Sequence, residues 1–328
     1  MTLNINSNYF YEIDIFFNHQ CNALPSCSTI GQSDLCYNER FLEPGLFHYT
    51  FDGSYKGHPQ QFEILKVNKH SDFQAKIVKV SSVLTKEELN QKYAFFDIED
   101  IASRVSDIVA AINGGFFHYD VPFGYSYEWP DGNYKSGDAA GELIIEGKKI
   151  SDNPKQKLWG AFQIDKQKNY SIKPSTEESS ASIDYSLGSA PMLISNGRVI
   201  DLETEGENQA KLDLFQVAAP GQYSIHFPSR HPRTAICITK NEDLVFLAVK
   251  GRMWTAHGMN GKELQNLVQS LECQHALNLD GGGSTNMVTF DEQKNTLSIM
   301  NSERRPFSNI IALTRKTTHH KLFGFKNT

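Results

Sequence analysis

The chain has 328 residues, a formal net charge of −6 and 39% hydrophobic residues. This apolar content is enough for a substantial core and excludes global disorder. The mild acidity, with no dense run of Lys and Arg, argues against nucleic acid as a partner, and no apolar stretch approaches the ~20 residues of a spanning helix.

In chain order, residues 1–43 read as an irregular N-terminal extension. Its start, MTLNINSNYFYEIDIFF, lacks a cationic region and makes a poor signal peptide, so the compartment stays open. Cys21, Cys27 and Cys36 fall here at spacings that match no zinc pattern, and a local disulfide and free thiols fit equally well. A single domain is expected over residues 44–315, with a tail over 316–328. Phe62–Val67 and Phe73–Val80 have strand patterns, and Thr85 to Glu88 reads as a capping box opening a short helix. Ile98, Ile101 and Val105 mark the apolar stripe of a second helix. The apolar run Ile108–Ile112 then ends in Asn113-Gly114-Gly115. Residues 118–140 are aromatic and polar without periodicity, a long loop of the kind that often serves as a lid.

Two hairpins follow, turning at Glu146-Gly147 and at Ser195-Asn196-Gly197. Residues 174–182, PSTEESSAS, are a polar loop. Later strands are expected at Arg233–Thr239, Leu244–Val249, Ala276–Asp280, Thr285–Phe290 and Phe307–Thr314. Cys237 and Cys273 sit in apolar segments and read as small core residues. One helix, Gly261–Leu271, turns Leu264, Leu267, Val268 and Leu271 to one side. The fold class that results is α+β, mostly antiparallel sheet with a few covering helices.

The richest segment is NLDGGGST, residues 278–285. Strand alternation puts Asn278 and Asp280 on one face with Ala276, opposite Leu277 and Leu279. Polar groups on an apolar strand cost stability unless they are hydrogen-bonded or used. Gly281 and Gly282 let the backbone take positive φ and approach a ligand, their N–H groups can form an anion nest, and Ser284 and Thr285 add hydroxyls. A tight turn in which Asp280 caps its own backbone explains the same residues about as well. Asn113-Gly114-Gly115 repeats the design and is equally compatible with a plain Asn-Gly turn. Arg233 opens a strand and Arg252 follows another; either guanidinium suits a phosphate, and an ordinary ion pair is as good an account of Arg233. His231, beside Pro232, reads as a loop histidine. Glu263 lies three residues after Asn260, where a helix-capping role and a place in the same cleft are both open. His257, His319 and His320 have no metal-ligand spacing. No P-loop, G-x-S-x-G, HExxH or dinucleotide fingerprint occurs, so neither a metal nor another cofactor is expected.

In order and spacing, AAINGGFF (110–117), GSAPMLISNGRVI (188–200), HPRTAICI (231–238), GR…HGMNGKEL (251–264), ALNLDGGGSTNMV (276–288) and RPFSNIIAL (305–313) resemble the phosphodiester glycosidase family. The resemblance covers roughly residues 44–315. It implies hydrolysis of the bond between an anomeric carbon and a phosphodiester oxygen, in a family whose bacterial members are often labelled exopolysaccharide-related. By the same resemblance Asn113, Arg233, Asp280, Gly282, Ser284 and Thr285 fall on cleft-lining motifs, and Glu263 on an acidic helix position. Two departures stand out. Ala190 replaces a glycine of G-S-G-P, and Lys250 precedes Gly251 in place of an aspartate.

These readings converge on a glycan or sugar-1-phosphodiester substrate. Asp280 is then the first catalytic carboxylate and Glu263 the second. Asn113, Arg233, Arg252, Asn278, Gly281, Gly282, Ser284 and Thr285 would bind substrate. The competing expectation is a non-catalytic module that binds phosphorylated glycans in the same cleft. A third is an interaction protein working through loops 118–140 and 174–182. Sequence leaves the oligomeric state unknown.

Overall fold

The computed structural model describes residues 27–32, 34–90, 96–117, 139–153, 158–202, 227–300 and 307–316. Among these, the largest sheet has nine strands. Their spatial order is β1 (Cys27–Ser28), β2 (Tyr37–Glu43), β3 (Leu46–Tyr55), β4 (His58–Val67), β15 (Leu244–Val249), β14 (Arg233–Thr239), β16 (Cys273–Asn278), β12 (Met192–Ser195) and β13 (Arg198–Val199). A second sheet runs β18 (Thr296–Ile299), β17 (Met287–Phe290), β6 (Ile108–Asn113), β19 (Asn309–Arg315) and β5 (Phe73–Lys79). The third runs β10 (Tyr170–Pro174), β9 (Gly160–Asp165), β11 (Ile183–Ser189), β7 (Leu143–Ile145) and β8 (Lys148–Ser151). All described strand pairs are antiparallel. Described helices are short: α1 (Lys86–Asn90), α2 (Ile98–Ser103) and α3 (Gly261–Ser270).

Period-2 alternation assigns each strand face to a layer. In β14, Ile236 and Ile238 join Leu277, Phe246, Phe162 and Leu187 in a core between the large sheet and the two smaller ones. Ala235 and Cys237, on the other face of β14, pack with Phe62, Leu247 and the α3 side chains Leu264 and Leu267. The outer face of the second sheet is closed by Ile98, Ile101 and Ala102 of α2 against Ile108, Val288 and Ile310. With strand dominant and the helices serving only as caps on sheet faces, the fold is mainly β and not α+β.

Local chemistry explains the elements that the sequence predicts. Thr85 and Glu88 exchange capping hydrogen bonds at the start of α1 (2.8 and 3.2 Å). Both hairpin turns adopt the paired positive φ of type I′, at Glu146 (51°) and Gly147 (74°) and at Asn196 (49°) and Gly197 (72°).

Two expectations are corrected. The extension is not irregular as far as residue 43, because Tyr37–Glu43 is a strand paired with β3, and its Tyr37 is fully buried against Tyr49, Phe51 and Phe62. The charged residues Glu39 and Arg40 hide this, since they belong to the exposed part of the strand. Cys237 and Cys273 do occupy the core, at 1% and 4% exposure, but not as independent residues. Pairing of β14 with β16 brings their Cα atoms to 5.8 Å, and they form a disulfide. Closing a loop of this length stabilises by about 3–4 kcal/mol on chain-entropy grounds. Cys36 is disulfide-bonded as well. Cys21, most of loop 118–140, and the tail from residue 317, with His319 and His320, lie outside the described residues.

Candidate active site

The start of β14 and the ends of β15 and β16 lie side by side, because the antiparallel register sets Arg233 opposite Val249 and Ala235 opposite Asn278. The end of β6 meets them from the second sheet. The joint between the two is the side chain of Asn113, which is 1% exposed. Its Oδ1 accepts from Thr234 Oγ1 (2.8 Å) and from the Asn286 N–H (3.0 Å). Its Nδ2 donates to the carbonyl of Asp280 (2.6 Å). One buried amide therefore ties β6, β14 and the glycine turn together.

Asp280 is held through its backbone. Its N–H donates to the Gly114 carbonyl (3.0 Å), and its carbonyl takes the Asn113 bond. Its carboxylate, half-buried, accepts from the Gly281 N–H (2.9 Å). The glycines that follow are required by space and by conformation. A Cβ on Gly281 would lie 2.9 Å from the Pro232 carbonyl oxygen, and Gly282 has φ +61°. The Gly282 N–H donates to that same Pro232 carbonyl (2.9 Å).

The two arginines differ sharply. Arg233 is 7% exposed. It donates from Nε to the Met259 carbonyl (2.9 Å) and from Nη2 to the Ser229 carbonyl (2.9 Å), with Phe227 stacked 4.9 Å from the guanidinium carbon. Arg252 is exposed, and its Nη2 lies 3.1 Å from where a Cβ on Gly282 would be. Its Nε and Nη2 both reach His231 Nδ1 at 3.3 Å. An arginine can only donate, so Nδ1 of His231 is the acceptor and the ring proton of the neutral form sits on Nε2. His231 is the residue that sequence reading passed over; its signal was its position two residues before Arg233, at a strand entry.

Glu263 is 6% exposed and its carboxylate is occupied. Oε2 accepts from the Asn260 N–H (3.0 Å) while Asn260 Oδ1 accepts from the Glu263 N–H (2.9 Å), a complete capping box. Oε1 pairs with Arg230. The Tyr55 hydroxyl, pushed up to about 12 chiefly by burial, donates to the Glu263 carbonyl (3.4 Å).

Polar groups flanking the turn are also buried. Asn278 Nδ2 donates to the carbonyls of Ala190 and Leu279 (2.8 Å each), while its Oδ1 has no hydrogen-bond partner among the described residues. Ser284 Oγ and both ends of the Asn286 amide are likewise buried and, among the described residues, unpaired, and Thr285 is 2% exposed. Each unsatisfied group costs about 1–3 kcal/mol, and their gathering around one turn is a mark of a functional region. Among the described residues, no three His, Cys, Asp or Glu side chains converge to hold a metal ion.

Residues 106–314 match the model of the phosphodiester glycosidase (NAGPA) family. The chain belongs to the phosphodiester glycosidase family. That match starts next to β6 and ends in β19, so it contains Asn113, Arg233, Arg252, Glu263 and the 278–285 turn, while β1 to β5 precede it. No curated protein matches the chain. Among solved structures, it is similar to the zebrafish N-acetylglucosamine-1-phosphodiester α-N-acetylglucosaminidase catalytic domain, auto-inhibited by its pro-peptide, with 16% identity and a TM-score of 0.58 over 89% of this chain and 97% of that one. A Burkholderia pseudomallei protein aligns with 12% identity and a TM-score of 0.56 over 80% and 75%. A hypothetical Synechocystis protein aligns with 15% identity and a TM-score of 0.50 over 86% and 64%. At these identities the structural likeness bears on the fold alone.

Proposed function

We propose that this phosphodiester glycosidase family member hydrolyses the bond between an anomeric carbon and a phosphate oxygen in a sugar-1-phosphodiester. The observation that carries the reading is the juxtaposition of one oriented carboxylate, Asp280, with an exposed guanidinium, Arg252, across the Gly281-Gly282 turn. Asp280 takes a proton from water as the water oxygen bonds to the anomeric carbon. The carbon–oxygen bond to phosphate breaks, and its electron pair leaves with the phosphate monoester. The transition state has oxocarbenium character, which a neighbouring carboxylate stabilises. Charge growing on the departing phosphate is met by the guanidinium of Arg252. A phosphate monoester is a good leaving group, so a second carboxylate acting as general acid is not needed.

Roles divide accordingly. Asp280 is catalytic, Arg252 binds the phosphate, Gly281 and Gly282 leave room beside it for the ligand, and Ser284, Thr285 and Asn278 shape the turn. Asn113 and Arg233 are positioning residues, and Glu263 anchors α3. N-acetylglucosamine-1-phosphodiesters are the first substrates to try, since the zebrafish relative is named for acting on them. Release of free sugar and phosphate monoester is expected from the wild type. Asp280→Asn should lower kcat/KM about a thousandfold, the scale of losing a general base, with the melting temperature preserved. Binding of diesters by wild type without any turnover would overturn the enzyme in favour of a glycan-binding module.

A further inference from the structure

Trp254 is 87% exposed and Met253 beside it 49%, although burying a side chain of this size stabilises a fold by about 2–3 kcal/mol. Among the described residues, nothing in the packing accounts for leaving an indole in water. The turn that carries it is firmly held. Met253 and Ala256 exchange both backbone hydrogen bonds (3.0 and 3.1 Å), leaving Trp254 and Thr255 as a two-residue tip. The next residue, His257, donates its N–H to the Pro59 carbonyl (2.9 Å). At the base, Cβ atoms on Gly251 and Gly258 would collide with the backbone of His231 and Pro232, so the loop rests directly on the segment that receives the Gly282 N–H. Arg252 departs from this base at φ +61° and sends its guanidinium toward Gly282.

Resting on the reading of Arg252 as the phosphate receptor, we propose that Trp254 is the sugar platform of the site, stacking on the C–H face of the pyranose whose anomeric phosphate sits at Arg252 and the glycine turn. Two residues of chain span at most about 7 Å. That limit keeps the two Cα atoms on one short stretch of loop, along which a pyranose can extend from a phosphate held at Arg252 toward the indole. An indole face offers a broad apolar surface with negative quadrupole, which attracts polarised C–H groups. Rings with equatorial hydroxyls present flat C–H faces and are the preferred class; rings with axial hydroxyls on the stacked face are disfavoured. A rigid tip loses little conformational freedom on binding, which favours affinity.

The test uses the full chain with α- and β-linked hexopyranose-1-(methyl phosphate) diesters, and dimethyl phosphate as the sugar-free probe. Trp254→Ala is expected to raise KM and Kd for the preferred diester about tenfold, an effect of the size that lost aromatic burial produces. The change in kcat should stay within about twofold, and the Kd of dimethyl phosphate should not change. Trp254→Phe should restore most of the affinity while abolishing the tryptophan fluorescence change seen on binding to wild type. Arg252→Met should weaken both probes. An unchanged diester Kd in Trp254→Ala, with turnover intact, overturns the platform and leaves the proposed reaction standing. Equal weakening of both probes also overturns it, as collapse of the turn. If wild type neither binds nor cleaves any diester, both the reaction and the platform fall.

Discussion

Arg233 and Arg252 sit at neighbouring strand ends, and Asp280 and Glu263 are both acids close to glycines, yet each pair divides along a line of burial. Arg233 and Glu263 are buried and hydrogen-bonded, the first to carbonyls of residues 229 and 259, the second to a helix cap and Arg230. Arg252 is exposed and Asp280 half-buried, and both are aimed at the glycine turn. A buried charge must be compensated within the protein, which leaves it little to offer a substrate. An accessible charge whose backbone is fixed can meet a ligand without reorganising. Under the proposed reaction the inner layer holds the geometry and the outer layer does the chemistry.

The sharpest way to break this division is Arg233→Met. Two carbonyls would lose charged donors in a buried setting, at a cost of about 3 kcal/mol. The urea midpoint should fall accordingly, while the diester KM of the folded fraction changes little. Preserved stability with lost diester binding would move Arg233 back into the outer layer. Arg252→Met tests the other side. Stability should stay within about 0.5 kcal/mol, as for exposed residues generally, while kcat/KM falls about thirtyfold through lost phosphate stabilisation. Glu263→Gln is the smaller probe of the inner layer. Losing the anionic partner of Arg230 and weakening the capping box should cost about 1–2 kcal/mol. Turnover per folded molecule should be retained; a loss approaching that of Asp280→Asn would make Glu263 a catalytic acid after all.

The sequence was most informative where local chemistry decides the outcome. Capping at Thr85 and Asn260, the Asn196-Gly197 turn, and the strands Arg233–Thr239 and Leu244–Val249 all follow from nearest-neighbour rules, and the structure contains them. The clustering of Asn113, the Arg233 segment and Asp280 was also legible, because two glycine turns at strand ends rarely serve separate purposes. What was not legible depended on pairings distant in sequence. The Cys237–Cys273 disulfide requires β16 to lie beside β14, and the third sheet has strands such as Tyr170–Pro174 whose partly exposed pattern carries weak periodicity. Glu263 was read as a second catalytic carboxylate and Arg233 as a substrate ligand from residue type, which reveals a charge and not its partner. Trp254 went unread because a lone tryptophan in sequence gives no sign of being exposed.

An acid at the surface provides the mildest test of the contrast. Glu88 accepts both Arg104 guanidinium hydrogen bonds (2.7 and 2.8 Å), and these, with the Thr85 backbone N–H, hold its carboxyl down from 4.5 to about 2. The folded value lies below the unfolded one, so its stabilisation is complete above about pH 4.5 and drains away as pH falls toward 2. Glu88→Gln should therefore melt slightly below wild type at pH 6, and the gap should close across that window. Salt should shrink the gap too, since the pair is solvent-screened. The Glu263→Gln gap, set by a buried carboxylate, should be less sensitive to added salt. Equal salt sensitivity in the two variants would mean that burial does not separate the layers as argued.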